Sequence, residues 1–158
     1  PKHTYQILTN RPERMRDYLN PRRLWVEQFE PAEAAREVNH IWLGVSVEDG
    51  RVTHRIAELR EVLATVRFLS LEPLIGPLGK LDLRGIHWVI IGGESGPKAR
   101  PMRCEWAEDI IEQCKVAGVA VWMKQVGSAW AKAKGFKSYK GEDPEEWPEA
   151  LKVRQFPR

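Results

Sequence analysis

Six polar residues stand at the ends of apolar runs in this chain: Thr9, Glu48, Glu72, Glu94, Ser95 and Lys124. Their types suit acid–base and ionic chemistry. Three carboxylates brought close repel one another unless a cation or a proton compensates. They can hold Mg²⁺ or Mn²⁺ through oxygen ligands, or divide general-acid and general-base roles. They can equally serve structure, by capping helices and pairing with Arg11, Arg51, Arg100 and Lys124. Lys124 follows the run VAVWM, which buries its stem and carries its ammonium to the end of the run. There it can bind a carboxylate or phosphate, or pair with an acid; a Schiff-base role needs a lowered pKa. Glu72, Glu94 and Lys124 are the catalytic candidates.

The segment GGESG, Gly92–Gly96, directly follows an apolar run. Two glycines there let the backbone turn tightly or lie against a ligand. Freed N–H groups can cradle an anion or a cofactor carboxylate. Gly92, Gly93, Glu94, Ser95 and Gly96 are the cofactor-binding candidates. The pattern is not the dinucleotide fingerprint, which needs G-x-G-x-x-G entering a helix at once. Thr9, Arg11 and Glu48 are the substrate-binding candidates. His3, His40, His54 and His87 show no metal-ligand spacing, and Ser95 has no paired His or Asp in view.

These residues matter only if their elements bring them together. TYQIL (Thr4–Leu8), IWLGVSV (Ile41–Val47), VRFLSL (Val66–Leu71), IHWVII (Ile86–Ile91) and VAVWM (Val119–Met123) read as buried strands. Helical patterns alternate with them. Asn10 caps a helix that opens with Pro12 and Glu13 and ends at Pro21. Pro31 starts another through Val38. Ile56, Leu59, Leu63 and Val66 keep a 3–4 spacing. Trp106, Ile110, Cys114 and Ala117 trace one stripe, and Gly118 ends that helix by allowing positive φ. Leu74–Gly85 reads as a folded loop with room for a small β element.

A βα repeat of about five strands predicts an α/β fold with a parallel sheet, whose strand ends gather at one rim. Parallel α/β folds place their chemistry at that rim. The hydrophobic pattern leaves an open sheet and a partial TIM-type barrel equally open, because both bury both sheet faces. Residues 1–130 form the barrel-like domain in this reading. Residues 131–158, rich in Lys, Gly, Glu and Pro, form an irregular arm packed on it through Trp147, Leu151, Val153 and Phe156.

With 158 residues the chain fits one domain, burying about 70% of its extended-chain surface. Lys plus Arg exceed Asp plus Glu by 25 to 22. An excess of +3 is weak support for nucleic acid, which needs a stripe or patch. The basic residues gather at Arg11–Arg23 and Lys132–Lys140. Cys104 and Cys114 fall in one predicted helix, about 15 Å apart along its axis. They form neither a disulfide nor a metal pair there, which indicates a reducing, cytoplasmic setting. No apolar stretch reaches membrane-spanning length and no signal peptide is visible. The opening Pro-Lys-His-Thr lacks an initiator Met, so a fragment or a processed form is expected.

Five segments resemble the phage Gp37/Gp68-type family, an uncharacterised group: TYQILTNRPERM (Thr4–Met15), IWLGVSVED (Ile41–Asp49), VRFLSLEPLIGPL (Val66–Leu78), WVIIGGESGPKARPM (Trp88–Met102) and WMKQVG (Trp122–Gly127). DPEEWPEALKVRQFP (Asp143–Pro157) is similar to its C-terminal ending. The resemblance implies a longer protein whose N-terminal part looks like a radical S-adenosylmethionine enzyme. There, three closely spaced cysteines would ligate a [4Fe–4S] cluster. This chain lacks that motif. The resemblance therefore implies the later part of a partial or full barrel, with S-adenosylmethionine and the cluster belonging to the full-length form. Such a part would be inactive alone, since radical chemistry requires the cluster's electron.

Three readings follow. The first is this radical-enzyme fragment, its rim holding a small or nucleotide-like substrate. The second is a hydrolase or lyase using a divalent metal and the rim carboxylates. The third is a non-enzymatic interaction or nucleic-acid-binding module using Lys132–Lys140. An incomplete barrel leaves a sheet edge to cover, so a homo-oligomer or a partner segment is expected, unless the arm covers it.

Overall fold

A computed structural model describes residues 3–29 and 40–157, with the backbone alone described for residues 22–29. Five strands form one parallel sheet: β1 (Tyr5–Thr9), β2 (Ile41–Ser46), β3 (Val66–Leu71), β4 (Trp88–Gly92) and β5 (Ala120–Gln125). The strands lie in sequence order, β1-β2-β3-β4-β5. Right-handed crossovers in one unbroken order put every connection on the same face. That is the winding of a (β/α) barrel rather than of a doubly wound sheet, whose order reverses at a switch point. The arc is open, as a partial barrel is.

The crossover helices are α1 (Pro12–Phe29), α2 (His54–Arg60) and α3 (Cys104–Ala117). Their apolar residues, including Met15, Ile56, Leu59, Ala107, Ile110 and Cys114, join Val45, Leu69, Leu71, Val89, Ile91 and Met123 in one core. The opposite face is aromatic. Phe68, Trp88 and Ile90 are buried there, flanked by Trp42 and Trp122. Trp88 meets Trp42 edge-on at 5.8 Å and Trp122 at 6.4 Å, geometries that aromatic quadrupoles favour. Gly44 makes room for the Phe68 ring, since a Cβ there would stand 2.5 Å from it. This second face is the inside of the arc.

Two local expectations are corrected. Pro21 does not end α1, which continues to Phe29. Asn20, its neighbour, is tied twice to the end of α2, donating to Glu61 O at 2.7 Å and accepting from Leu63 N at 2.9 Å. These tertiary ties hold the helix through a residue that lacks an amide hydrogen. Asn10 is not the cap either: the hydroxyl of Thr9 accepts from Arg11 N at 3.0 Å and turns the chain into α1. The loop between β3 and β4 forms no strand. The helix expected from Pro31 lies outside the described residues. Gly118 does end α3, at φ 67°.

After β5 comes α4 (Ser128–Lys134), then short 3₁₀ turns at Pro144–Glu146 and Glu149–Leu151. Trp147 and Leu151 are buried in the helix-side core. The chain then runs antiparallel along the outer edge of β5, with Trp122 bridged to Arg154. Met123 N donates to Val153 O, and Gln155 N to Val121 O, each at 2.9 Å. Phe156 folds onto the inner face, 4.8 Å from Trp122 and 5.3 Å from Trp88. One sheet edge is thus covered by the chain itself. The other, β1, carries exposed Tyr5, Ile7 and Leu8. Among the described residues no helix is long and apolar enough to cross a membrane.

Candidate functional site

The common strand direction puts Thr9, Glu48, Glu72, Glu94 and Lys124 at the same rim, each at or just past the C-terminal end of its strand. They do not form a single cluster. Each carboxylate has its own cation: Glu72 pairs with Lys124 at 2.8 Å, Glu48 with Arg55 at 3.1 Å, and Glu94 with Arg100 at 2.7 Å. Among the described residues no group of three His, Cys, Asp or Glu could hold a metal ion.

The Glu72–Lys124 pair lies on the inner face. Glu72 follows Ser70 by two residues, and Lys124 follows Trp122 by two, so strand alternation sends both inward. Ser70, itself buried, donates its hydroxyl to Glu72 Oε1 at 3.2 Å. The strand between them, β4, ends in Gly92, over which the Glu72 carboxylate passes. The Glu72 side chain is 18% exposed and that of Lys124 54%. The acid is therefore fixed while the ammonium remains open to solvent.

The Gly92–Gly96 segment is shaped by the protein's own chain. Gly93 packs on the carbonyl of Val126, where a Cβ would stand at 2.2 Å. Gln125 donates to Gly93 O at 2.8 Å and to Ser95 Oγ at 2.6 Å. Gly96 N donates to Ser128 Oγ at 3.1 Å. Of the three glycines in this segment, Gly96, at φ 127°, has open space where a side chain would be. Ser95 is therefore hydrogen-bonded to an amide, and among the described residues no base bonds its hydroxyl.

Glu94 is held by three bonds from Arg100, one from the backbone N–H at 2.7 Å and two from the guanidinium. Those bonds pull its carboxyl down to about 2. Asp49, bonded by the Arg51 guanidinium and backbone N–H, is likewise lowered to about 2, with Arg100 adding to the effect. The two ion pairs are thus neighbours on the rim. Arg11 exposes a guanidinium with no ion pair among the described residues.

Arg55 was not legible as a site residue, although it is the second residue of the helix that follows Glu48. It bonds both Glu48 Oε2 and Ser46 O, and so fixes the end of β2. Ser128 likewise gave no signal, because its partner Gly96 lies 32 residues away.

Two larger clefts, of about 860 and 830 Å³, lie at the other end of the strands, around Gly118 and Val119. In the first, polar groups serve the β3–β4 loop: Gln113 bonds Leu81 N and Gly79 O, and Arg84 pairs with Asp82. The poised charges lie at the rim, away from these two clefts. Parallel folds use the C-terminal rim for chemistry, so the charges are the better guide.

A family model described as a protein of unknown function (DUF5131) matches residues 1–154, and the chain belongs to that family. No curated protein and no solved structure matches it.

Proposed function

We propose that this family member forms a ligand-binding arc of a larger barrel-type enzyme, related to the radical S-adenosylmethionine proteins that its Gp37/Gp68-type segments resemble. The reading rests on one observation: a fixed carboxylate and a solvent-open ammonium sit side by side, 2.8 Å apart, at the inner C-terminal rim. This pair is the complement of a zwitterion. An α-amino acid group exchanges partners with it, ammonium to Glu72 and carboxylate to Lys124, so little charge is left unpaired. S-adenosylmethionine carries such a group, and when bound it supplies a sulfonium whose carbon–sulfur bonds are the reactive ones. The partly buried Trp42 and Trp122, which flank buried Trp88 below the rim, offer aromatic surface that suits an adenine-bearing or otherwise planar ligand.

The described residues do not fit an iron–sulfur cluster. The two cysteines of the chain both lie on α3, outside the arc. Cys104 donates to Glu108 and Cys114 is buried. No step is therefore assigned to cluster chemistry in this chain. The edge of β1, unpaired among the described residues, is where a further strand, from a partner or a second copy, can add.

Equilibrium dialysis with radiolabelled S-adenosylmethionine tests the reading. Saturable binding is expected, weakened at least tenfold by Glu72→Gln and by Lys124→Met. Adenosine, which lacks the amino acid group, should bind more weakly and be indifferent to either substitution. Absence of binding, or equal affinity for adenosine and S-adenosylmethionine, would overturn it.

A further inference from the structure

A cleft of about 510 Å³ opens beside the Gly96 turn, between the loop after β4 and the segment from α4 to Tyr139. It is not part of the Glu72–Lys124 pair and does not depend on the reading above. Pro97 and Phe136 give it an apolar wall. Lys132, Lys137, Ser138 and Tyr139 border it.

The electrostatics of this border are one-sided. Lys132, Lys134, Lys137 and Lys140 fall within nine residues, and no Asp or Glu occurs from 127 to 141. All four are exposed, and among the described residues none has an ion-pair partner. The acids that contact the segment do not reach its ammonium groups: Glu146 accepts from the backbone N–H of Lys137 at 2.9 Å, and Glu142 donates its own backbone N–H to Ser138 Oγ at 3.5 Å. Tyr139 stands among these lysines with 59% of its surface exposed, and among the described residues it makes no ring contact.

A large exposed aromatic ring beside unpaired ammonium groups suits single-stranded nucleic acid. Bases stack on a ring face regardless of sequence, while lysines neutralise the phosphates between them. A protein partner of acidic character would use both the lysines and Tyr139, a residue type enriched at protein interfaces. A mononucleotide would use the cleft but not the lysines beyond it. We propose that this cleft binds single-stranded nucleic acid, with one base stacked on Tyr139 and the flanking phosphates on Lys132 and Lys137.

Fluorescence anisotropy with a labelled oligothymidylate of about twelve nucleotides, read between 50 and 200 mM salt, tests this. The intact 158-residue chain should bind with an affinity that falls as salt rises. Each lysine–phosphate contact on a single strand contributes about −0.7 to the slope of log K against log salt, so Lys132→Ala with Lys137→Ala should flatten that slope by about 1.4. Tyr139→Ala should weaken binding by about 5- to 150-fold and leave the slope unchanged. All three residues are exposed, so circular dichroism should show the variants folded. The proposal is overturned if the strand does not bind at 50 mM salt, or if the variants bind like the parent. It is overturned equally if ATP or polyglutamate competes as well as the oligomer does, or if a duplex of the same length binds as tightly.

Discussion

Glu72 reaches Lys124 across a residue with no side chain: its Oε2 lies 2.8 Å from the Lys124 ammonium, and a Cβ on Gly92 would stand 2.8 Å from that same oxygen. The neighbouring Gly93 is crowded differently, by the backbone of Val126 and Gly127. A carboxylate tip can swing away, and a backbone cannot. Gly92→Ala should therefore leave stability within about 1 kcal/mol of the parent while displacing Glu72 from Lys124. Gly93→Ala forces overpacking and should cost about 1–3 kcal/mol or more. Urea unfolding of both variants measures the contrast. Equal losses would mean that Gly92 is needed for backbone packing rather than for the ion pair.

The C-terminal segment belongs to the same cooperative unit as the sheet. Leu151 is fully buried in the helix-side core, and the chain beyond it hydrogen-bonds along β5. Leu151→Ala should cost about 2–5 kcal/mol through lost transfer energy and the cavity left behind. Val116→Ala, at a site 81% exposed on α3, is the control and should change stability by about 0.5 kcal/mol or less. A single denaturation transition, shifted as a whole by Leu151→Ala, is the expected result. A separate early transition for the arm would show that it folds independently.

The strand pattern was legible because burial on both faces demands unbroken apolar runs, and VRFLSL bounds β3 residue for residue. The rim followed from direction alone. What the chain did not disclose was pairing. Glu72 and Lys124 are 52 positions apart, and only the register of β3, β4 and β5 makes them neighbours. That the arm could cover a sheet edge was open in the sequence; that Val153–Gln155 does so by pairing with β5 was not readable, because one bridge beside Arg154 leaves no alternating pattern. Pro21 misled for a related reason: the bonds that carry α1 past it come from Glu61 and Leu63, which no local window contains.

Arg100 sets the charge state of Glu94. Its three hydrogen bonds lower that carboxyl from its ordinary value near 4.5 to about 2. A depressed carboxyl stabilises the fold above its unfolded value, and the contribution is lost as pH falls through the folded one. The pair thus supports the fold above about pH 4.5, and its support disappears towards pH 2. Arg100→Gln should raise the Glu94 carboxyl towards 4.5, seen by carbon NMR titration of its side chain. The stabilities of parent and variant should differ most near neutral pH and converge by about pH 2. A Glu94 titration left unchanged by the substitution would show that Arg100 does not hold it in solution.

The two thiols are poised against reactivity. Burial, together with the Glu108 carboxylate, pushes Cys104 up to about 12, and burial alone pushes Cys114 up to about 12. Against an ordinary value of 9.0, that lowers the thiolate fraction about a thousandfold, and the thiolate is the species that attacks disulfides and binds metal. Native chain mixed with an aromatic disulfide reagent at pH 8 should therefore label at least 100-fold more slowly than chain in urea. Their places ten residues apart on α3 keep them about 15 Å apart along the axis, so mild oxidation should yield no intrachain disulfide. Rapid labelling of one thiol would identify a thiolate that the folded geometry does not provide, and would reopen these cysteines as ligands.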